Sequence, residues 1–232
     1  MIAVIGGTSG IGLETAKYLC ELGYDTIVGG RRQLQEMSVG GSSRLVDVTD
    51  EASIEAFFSD PDTPLEGIVY AAGITAKKQS IEDFDPAVLN AIMATNVTGL
   101  LLCLKHAYKQ LKASKGRVVV VNSLAARSFS QFSGFEYTTS KSALSGVVKQ
   151  LAIEFAVDGV LINSVFPSMT ATPMLIANVD PELLRTVEQQ IPLQRIVEPL
   201  EVAKAIAFLV SRDNTYMTGC GLDLNGGQYL NG

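Results

Sequence analysis

A tyrosine and a lysine four residues apart, with a serine upstream, are the side chains best suited to acid–base chemistry. Tyr137 and Lys141 lie at positions i and i+4 of a predicted helix, so both face one side. A phenol titrates at about pH 10, and an ammonium group beside it lowers its pKa. Ser123 follows a predicted central strand, where its hydroxyl could bind a substrate carbonyl that the phenol protonates. Taken singly, Tyr137 and Lys141 also fit a pair on the helix surface, and Ser123 also fits a turn.

Glycines follow the first predicted strand in the pattern G-x-x-x-G-x-G. Glycines let the backbone turn sharply and approach a pyrophosphate, and the N-terminus of the next helix favours phosphate. An ordinary glycine-rich turn is the alternative, but the position after strand one favours nucleotide binding. The loop residues predicted to bind the nucleotide are Gly6, Thr8, Ser9, Gly10, Ile11 and Gly12.

The second predicted strand leads into Arg31 and Arg32, with no acidic residue at that turn. An acid there would bind a ribose 2′-hydroxyl, whereas an arginine favours a 2′-phosphate. We therefore expect NADP(H) as the cofactor, with NAD(H) possible and a solvated turn as the structural alternative. Asp47, predicted to end the third strand, is assigned either to the adenine amino group or to a structural cap.

Short apolar runs alternate with helical periodicity along the chain, and several runs, such as Val118–Val121, are continuously apolar. This pattern predicts an α/β Rossmann fold, a doubly wound parallel sheet of about seven strands with helices on both faces. The predicted strands are Ile2–Ile5, Asp25–Gly29, Arg44–Asp47, Gly67–Ala71, Arg117–Asn122, Val160–Phe166 and Gly221–Leu224. The predicted helices are Ile11–Leu22, Glu51–Ser59, Pro86–Leu111, Tyr137–Val157 and Leu200–Val210.

No linker or repeat divides the chain, so we expect a single NAD(P)-binding domain over residues 1–232. The segment from Arg31 to Arg44 is too short for a full helix, which predicts a trimmed crossover. Four prolines from Pro167 to Glu198, Pro167 included, predict a loop-rich substrate flap at about residues 168–198.

Composition excludes several classes of protein. The 232 residues carry 18 basic and 24 acidic side chains, and the net charge of −6 argues against nucleic-acid binding. The hydrophobic content of 47% is too high for a disordered chain. Three cysteines and one histidine provide neither a disulfide framework nor a metal site, and we find no signal peptide and no membrane-spanning run. We expect a cytoplasmic protein with no metal, nucleic-acid or membrane partner.

The motifs occur in a fixed order along the chain. They are the loop glycines Gly6, Gly10 and Gly12, then Asn96, Ser123, Tyr137 and Lys141, and finally Asn163, Pro167 and Thr172. In this order they resemble the short-chain dehydrogenase/reductase family, and the resemblance covers essentially the whole chain. It implies an NADP(H)-dependent oxidoreductase that interconverts a ketone or aldehyde and an alcohol by hydride transfer.

The resemblance also implies roles for single residues. Tyr137 would exchange the proton while Ser123 polarises the carbonyl. Lys141 would lower the pKa of the phenol and bind the nicotinamide ribose, and Asn96 would hold a water that relays protons from Lys141. The further residues implied to contact the cofactor are Asp47, Val48, Ala72, Gly73, Pro167, Thr170 and Thr172, together with Tyr137 and Lys141. A homotetramer or homodimer, packed through helices Pro86–Leu111 and Tyr137–Val157, is implied as well.

Two motifs depart from the family pattern, in which an Asn-Asn-Ala-Gly sequence follows the fourth strand. Here Tyr70-Ala71-Ala72-Gly73 lacks both asparagines, and Ser168 follows Pro167 where glycine is usual.

A non-catalytic nucleotide-binding regulator or scaffold is the alternative function, and the intact serine, tyrosine and lysine favour an enzyme. We expect a small to medium, partly apolar substrate.

Overall fold

The computed structural model describes residues 1–34, 40–59, 64–176 and 180–230, and within them seven parallel strands form one sheet. The strands are β1 (Ile2–Ile5), β2 (Thr26–Gly30), β3 (Ser42–Leu45), β4 (Gly67–Tyr70), β5 (Arg117–Val121), β6 (Leu161–Pro167) and β7 (Gly221–Leu224). Their order is β3-β2-β1-β4-β5-β6-β7, so the direction of strand addition reverses between β1 and β4. The predicted sheet is confirmed.

The two faces of the sheet bury different residues of the same strands. In β5, Val118 and Val120 belong to one core cluster, and Val119 and Val121 belong to a second cluster on the other face. Successive side chains of a strand point to opposite faces, so a continuous run of valines supplies both clusters.

Helices cover both faces. They are α1 (Gly10–Glu21), α2 (Glu51–Phe58), α3 (Pro86–Met93), α4 (Gly99–Ser114), α5 (Phe135–Ala156), α6 (Pro173–Ile176), α7 (Pro181–Gln190) and α8 (Pro199–Val210). α1 and α8 bury Ala16 and Ile206 in the cluster on one face. α2, α4 and α5 bury Phe57, Leu104 and Leu144 in the cluster on the other.

The long helix predicted over Pro86–Leu111 is divided. It starts as predicted, with Asp85 capping α3 and proline in its first turn. A π-helical turn over Ala94–Thr98 then separates α3 from α4. π-Helical turns are uncommon and often occur at functional sites. The prediction of one continuous helix is wrong at this point, and the interruption contains Asn96.

Other predicted boundaries also differ. β3 ends at Leu45, two residues before the predicted end, so Asp47 follows the strand rather than ending it. The flap is more helical than predicted, because α6 and α7 lie within it. Residues 177–179 of the flap and residues 35–39 of the short crossover are outside the described part of the chain.

One helical run of the described residues, Pro86–Ser114, is long and apolar enough to cross a membrane by length and composition, with a mean hydropathy of 1.8. The sequence prediction of no such run is wrong in that respect. The core helices of soluble proteins satisfy the same criteria. Here Leu100, Cys103 and Leu111 are fully buried in the cluster formed with β4 and β5, which accounts for the apolar composition.

Candidate active site

The loops after β1 and β4 meet where the strand order reverses, which is the edge at which open α/β sheets bind ligands. Gly6 has a φ of +83°, and a Cβ atom there would lie 2.4 Å from the backbone nitrogen of Ala72. A Cβ atom at Gly12 would lie 2.4 Å from the carbonyl oxygen of Gly6. Only glycine fits at either position, so the loop turns tightly against the start of α1.

The N-terminus of α1 is suited to bind an anion beside these glycines. Ser9 precedes the helix in an extended conformation without a side-chain capping bond, and the first turn holds no acid. The first N–H groups of a helix lack intrahelical partners and favour phosphate. Thr8 packs against Gly30 at the end of β2. A Cβ atom at Gly30 would lie 2.6 Å from the methyl group of Thr8. This cradle fits a dinucleotide pyrophosphate.

Both arginines predicted to bind a 2′-phosphate, Arg31 and Arg32, are exposed directly after β2. Asp47 accepts hydrogen bonds from the backbone nitrogen and the hydroxyl of Thr49, at 2.9 and 2.7 Å. These bonds, with a smaller contribution from Arg31, lower the pKa of the Asp47 carboxyl. Asp47 therefore makes the contacts of a structural cap, which is one of the two roles that the sequence predicts for it. Val48 is buried and packs against Gly99.

Ser123 and Tyr137 line one cavity. Ser123 follows β5 and caps a short 3-10 turn through its Oγ atom, which accepts from the backbone nitrogen of Ala125. Burial raises the pKa of the Tyr137 phenol, and a hydrogen bond with Ser123 opposes that rise. The lowered phenol pKa expected from the sequence is therefore wrong for this structure, and the buried phenol keeps its proton at neutral pH.

Lys141 lies behind Tyr137 and is buried. Its Nζ atom is 5.6 Å from the centroid of the Tyr137 ring and donates a hydrogen bond to the carbonyl oxygen of Val121 at 2.9 Å. Desolvation lowers the pKa of Lys141 to about 8. The ammonium is therefore held by the end of β5, close to the phenol, and titrates near neutral pH.

The Asn96 side chain, fully buried in the π-helical turn, joins two parts of the site. Its Nδ2 atom donates to the carbonyl oxygen of Ile74 and to the hydroxyl of Ser140, at 3.0 and 2.9 Å. Its Oδ1 atom accepts from the backbone nitrogen of Ile74 at 2.8 Å. Gly73 lies beside both Asn96 and Lys141. The amide thus ties the loop after β4 to α5.

The segment after β6 closes over the glycine loop. Pro167 ends the strand, and the hydroxyl of Thr170 donates to the carbonyl oxygen of Ser168 at 3.1 Å. A Cβ atom at Gly10 would lie 3.3 Å from the methyl group of Thr172. The segment predicted to cover the nicotinamide therefore contacts the phosphate loop directly.

A cavity of about 730 Å³ opens between these segments. Ile11, Thr170 and Thr172 line its cofactor side, together with Ser123 and Tyr137. The remaining walls come from several loops and from the helices α6 and α7. Their residues include Thr75, Lys77, Ser128, Phe129, Gln131, Phe132, Met169, Leu175, Gln190, Gln228 and Tyr229.

A family model described as enoyl-(acyl carrier protein) reductase matches residues 6–228. The chain belongs to the short-chain dehydrogenase/reductase family. The uncharacterized oxidoreductase YgfF of Escherichia coli (strain K12) is 34% identical to it, over 97% of this chain and 98% of that protein. Cis-4-hydroxycyclohexanecarboxylate dehydrogenase of Sinomonas cyclohexanicum is 30% identical, over 97% and 94%. The structure of ElxO with NADP bound superimposes with a TM-score of 0.89 at 27% identity, covering 98% of this chain and 97% of that one.

As a short-chain dehydrogenase/reductase, the chain is an oxidoreductase that acts on CH–OH groups and uses a nicotinamide dinucleotide. The structure brings the predicted glycines, Ser123, Tyr137 and Lys141 to one edge of the sheet. Sequence reasoning missed the backbone partners Ile74 and Val121, which carry no side-chain signal. Phe129 and Phe132 line the cavity, whereas Phe135 packs against Phe84 with ring centroids 5.7 Å apart.

Proposed function

We propose that the protein is an NADP(H)-dependent oxidoreductase that interconverts a ketone or aldehyde and an alcohol. The observation that carries the proposal is that Ser123 and Tyr137 line the same cavity, with the buried Lys141 beside the Tyr137 ring. Asn96 completes the set as a positioning residue, because its amide contacts the loop after β4 and α5 rather than the cavity.

The cofactor would be held along one edge of the sheet. The start of α1 and the glycine loop would bind the pyrophosphate, and Pro167–Thr172 would cover the nicotinamide. When bound, the cofactor supplies the hydride or accepts it. Arg31 and Arg32 favour NADP(H), since they bring positive charge to the end of β2 where a 2′-phosphate would lie.

The protein's own part in the reaction is to place the carbonyl and move a proton. In reduction, the Tyr137 hydroxyl gives its proton to the substrate oxygen, and in oxidation the phenolate takes it back. Ser123 donates a hydrogen bond to that same oxygen and so stabilises the negative charge that develops there. Lys141 supplies positive charge near the phenolate when Tyr137 has lost its proton.

A test of this function uses the purified protein with NADPH and a panel of carbonyl compounds. We expect the loss of NADPH absorbance with some of them, and Tyr137→Phe lowers that rate by at least about a hundredfold because the proton donor is removed. NADPH affinity, measured by fluorescence titration, stays within about twofold. Tyr216→Phe is the matched control, because that tyrosine is 96% exposed and outside the cavity.

The alternative function is a nucleotide-binding regulator or scaffold. It predicts tight NADPH binding with no turnover of any carbonyl or alcohol, and equal behaviour of the wild type and Tyr137→Phe. Retained turnover in Tyr137→Phe would instead contradict the assignment of the proton donor while leaving the enzyme class intact. We further propose that the protein works as a cytoplasmic homotetramer or homodimer.

A further inference from the structure

The charge of the cavity walls limits which substrate the enzyme accepts. Among the described residues that line the cavity, Lys77 is the only one with a charged side chain, and no aspartate or glutamate lines it. The other polar groups are hydroxyls and amides, such as those of Ser128, Ser130 and Gln131. A ligand in this cavity therefore meets one positive charge and otherwise neutral partners.

The backbone of Lys77 is fixed relative to the proposed proton donor. Lys77 and Ser133 form an antiparallel β-bridge, and the backbone nitrogen of Gly134 donates to the carbonyl oxygen of Ala76 at 3.1 Å. These contacts join the loop after β4 to the segment that precedes α5, which carries Tyr137 in its first turn. The Lys77 side chain therefore extends from a backbone position that is fixed at the cavity wall.

A second contact holds the same loop. The Nε2 atom of Gln79 donates to the Oε1 atom of Glu136 at 3.0 Å, and the Glu136 side chain is fully buried beside Tyr137. Its other carboxylate oxygen lies next to Gly134 and has no hydrogen-bond partner among the described residues. Glu136 thus braces the loop through Gln79 and forms no ion pair with Lys77.

The positive charge of Lys77 has no protein counter-charge in the described part of the chain. Lys77 is exposed, and no described carboxylate lies within ion-pair distance of its ammonium. The four-carbon stem of a lysine is flexible, so its charge can follow a ligand group in the cavity. The aromatic side chains of Phe129 and Phe132 line the same cavity and suit an apolar ligand body.

We propose that the substrate carries a carboxylate away from its reacting carbon and that Lys77 binds this carboxylate. The inference rests on the proposed carbonyl–alcohol chemistry at Ser123 and Tyr137 and adds the substrate class. One ammonium with neighbouring hydroxyls matches a single negative charge. A phosphate is matched less well, because the described lining holds no arginine for bidentate binding.

The test measures binding and does not depend on turnover. Cyclohexanecarboxylate and its neutral analogue cyclohexanecarboxamide are titrated calorimetrically into the protein loaded with NADP⁺. We expect the carboxylate to bind about fivefold more tightly than the amide. Lys77→Gln removes this difference, leaves amide binding unchanged and does not alter the melting temperature, since Lys77 is exposed.

Lys78→Gln is the matched control, because Lys78 is the next residue, is also exposed and does not line the cavity. It leaves the preference for the carboxylate intact. The proposal is overturned if the two probes bind equally to the wild type, if neither binds, or if Lys77→Gln keeps the preference.

Cyclohexyl phosphate is the third probe. Tighter binding of this ester than of the carboxylate, lost in Lys77→Gln, overturns the assignment to a carboxylate and identifies a phosphorylated substrate. The proposed function can fail separately. If the protein binds NADPH and prefers the carboxylate probe, but none of the carbonyl compounds tested causes oxidation of NADPH, only the proposed function is contradicted.

Discussion

Burial decides the protonation of the two residues at the centre of the site. The Tyr137 phenol has a raised pKa and the Lys141 ammonium has a lowered one, both mainly because water is excluded from them. A protonated phenol is the form that carbonyl reduction needs at neutral pH. Spacing alone placed these two side chains on one helix face, but burial depends on packing that a sequence motif does not contain.

The lowered pKa of Lys141 has a consequence for stability. The unfolded chain binds the proton more tightly than the folded one, so the free-energy cost of the buried charge is fully present below pH 8. It is relieved as the pH rises from about 8 to the ordinary value of 10.5. The stability of Lys141→Met relative to the wild type therefore falls as the pH rises through this range, by on the order of 3 kcal/mol.

Urea unfolding at pH 7 and pH 10 measures this difference. Lys149→Met, which removes an exposed ammonium from the same helix, is the control and keeps a constant difference from the wild type. A stability difference between Lys141→Met and the wild type that does not change with pH would contradict the pKa assigned to Lys141.

Arg31 allows a separate test of cofactor choice. If Arg31 binds the 2′-phosphate as proposed, Arg31→Ala removes that charge-assisted contact, so we expect NADPH affinity to fall about tenfold while NADH affinity changes little. Fluorescence titration of both cofactors measures the effect. Arg212→Ala removes the same charge at the other edge of the sheet, where Arg212 pairs with Glu66 before β4, and leaves both affinities unchanged. An equal loss for both cofactors would refute the assignment.

At the level of elements, the central strands were predictable and two features were not. Runs such as Val118–Val121 satisfy both faces of a parallel sheet, so their positions follow from the sequence. β3 has the sequence Ser-Ser-Arg-Leu at an exposed edge, and its boundaries carry no apolar signal. The π-helical turn at Ala94–Thr98 has the sequence Ala-Thr-Asn-Val-Thr, and these residue types do not distinguish an α-helical turn from a π-helical one.

That turn places Asn96 between the loop after β4 and α5, which gives a prediction for this element. Asn96→Ala leaves the backbone groups of Ile74 and the hydroxyl of Ser140 without their partner, so the free energy of unfolding falls by about 3 kcal/mol. NADPH binding also weakens, because Gly73 in the same loop adjoins Asn96 and Lys141.

Asn90→Ala is the control for this prediction. Asn90 is exposed on α3, and its replacement changes the free energy of unfolding by less than about 0.5 kcal/mol. Equal stability of the Asn96 and Asn90 variants would show that the buried amide does not hold the loop.

At the scale of the whole molecule, the fold and the cofactor edge followed from ordered motifs, whereas the substrate walls did not. The spacing of the glycines and the order of the strands restrict the path of the backbone. The fold and the cofactor-binding edge can therefore be predicted from the sequence. The residues that shape the cavity, such as Lys77 and Gln228, come from separate loops without a shared pattern. Only the folded chain shows that they face one space.

The packed pair α4 and α5 presents an exposed apolar surface suited to self-association. Tyr108 of α4 and Phe155 of α5 stack with ring centroids 4.5 Å apart, which sets the helices side by side. Ile153 is 75% exposed and Val157 is 85% exposed, one turn apart. Sedimentation velocity should therefore show a dimer or tetramer, and Ile153→Lys should shift it to smaller species by placing a charge in an apolar contact. Leu22→Lys is the control, because it also places a lysine at an exposed apolar position, just after α1, and it should leave the assembly intact. A monomeric wild type would contradict assembly through the surface formed by α4 and α5.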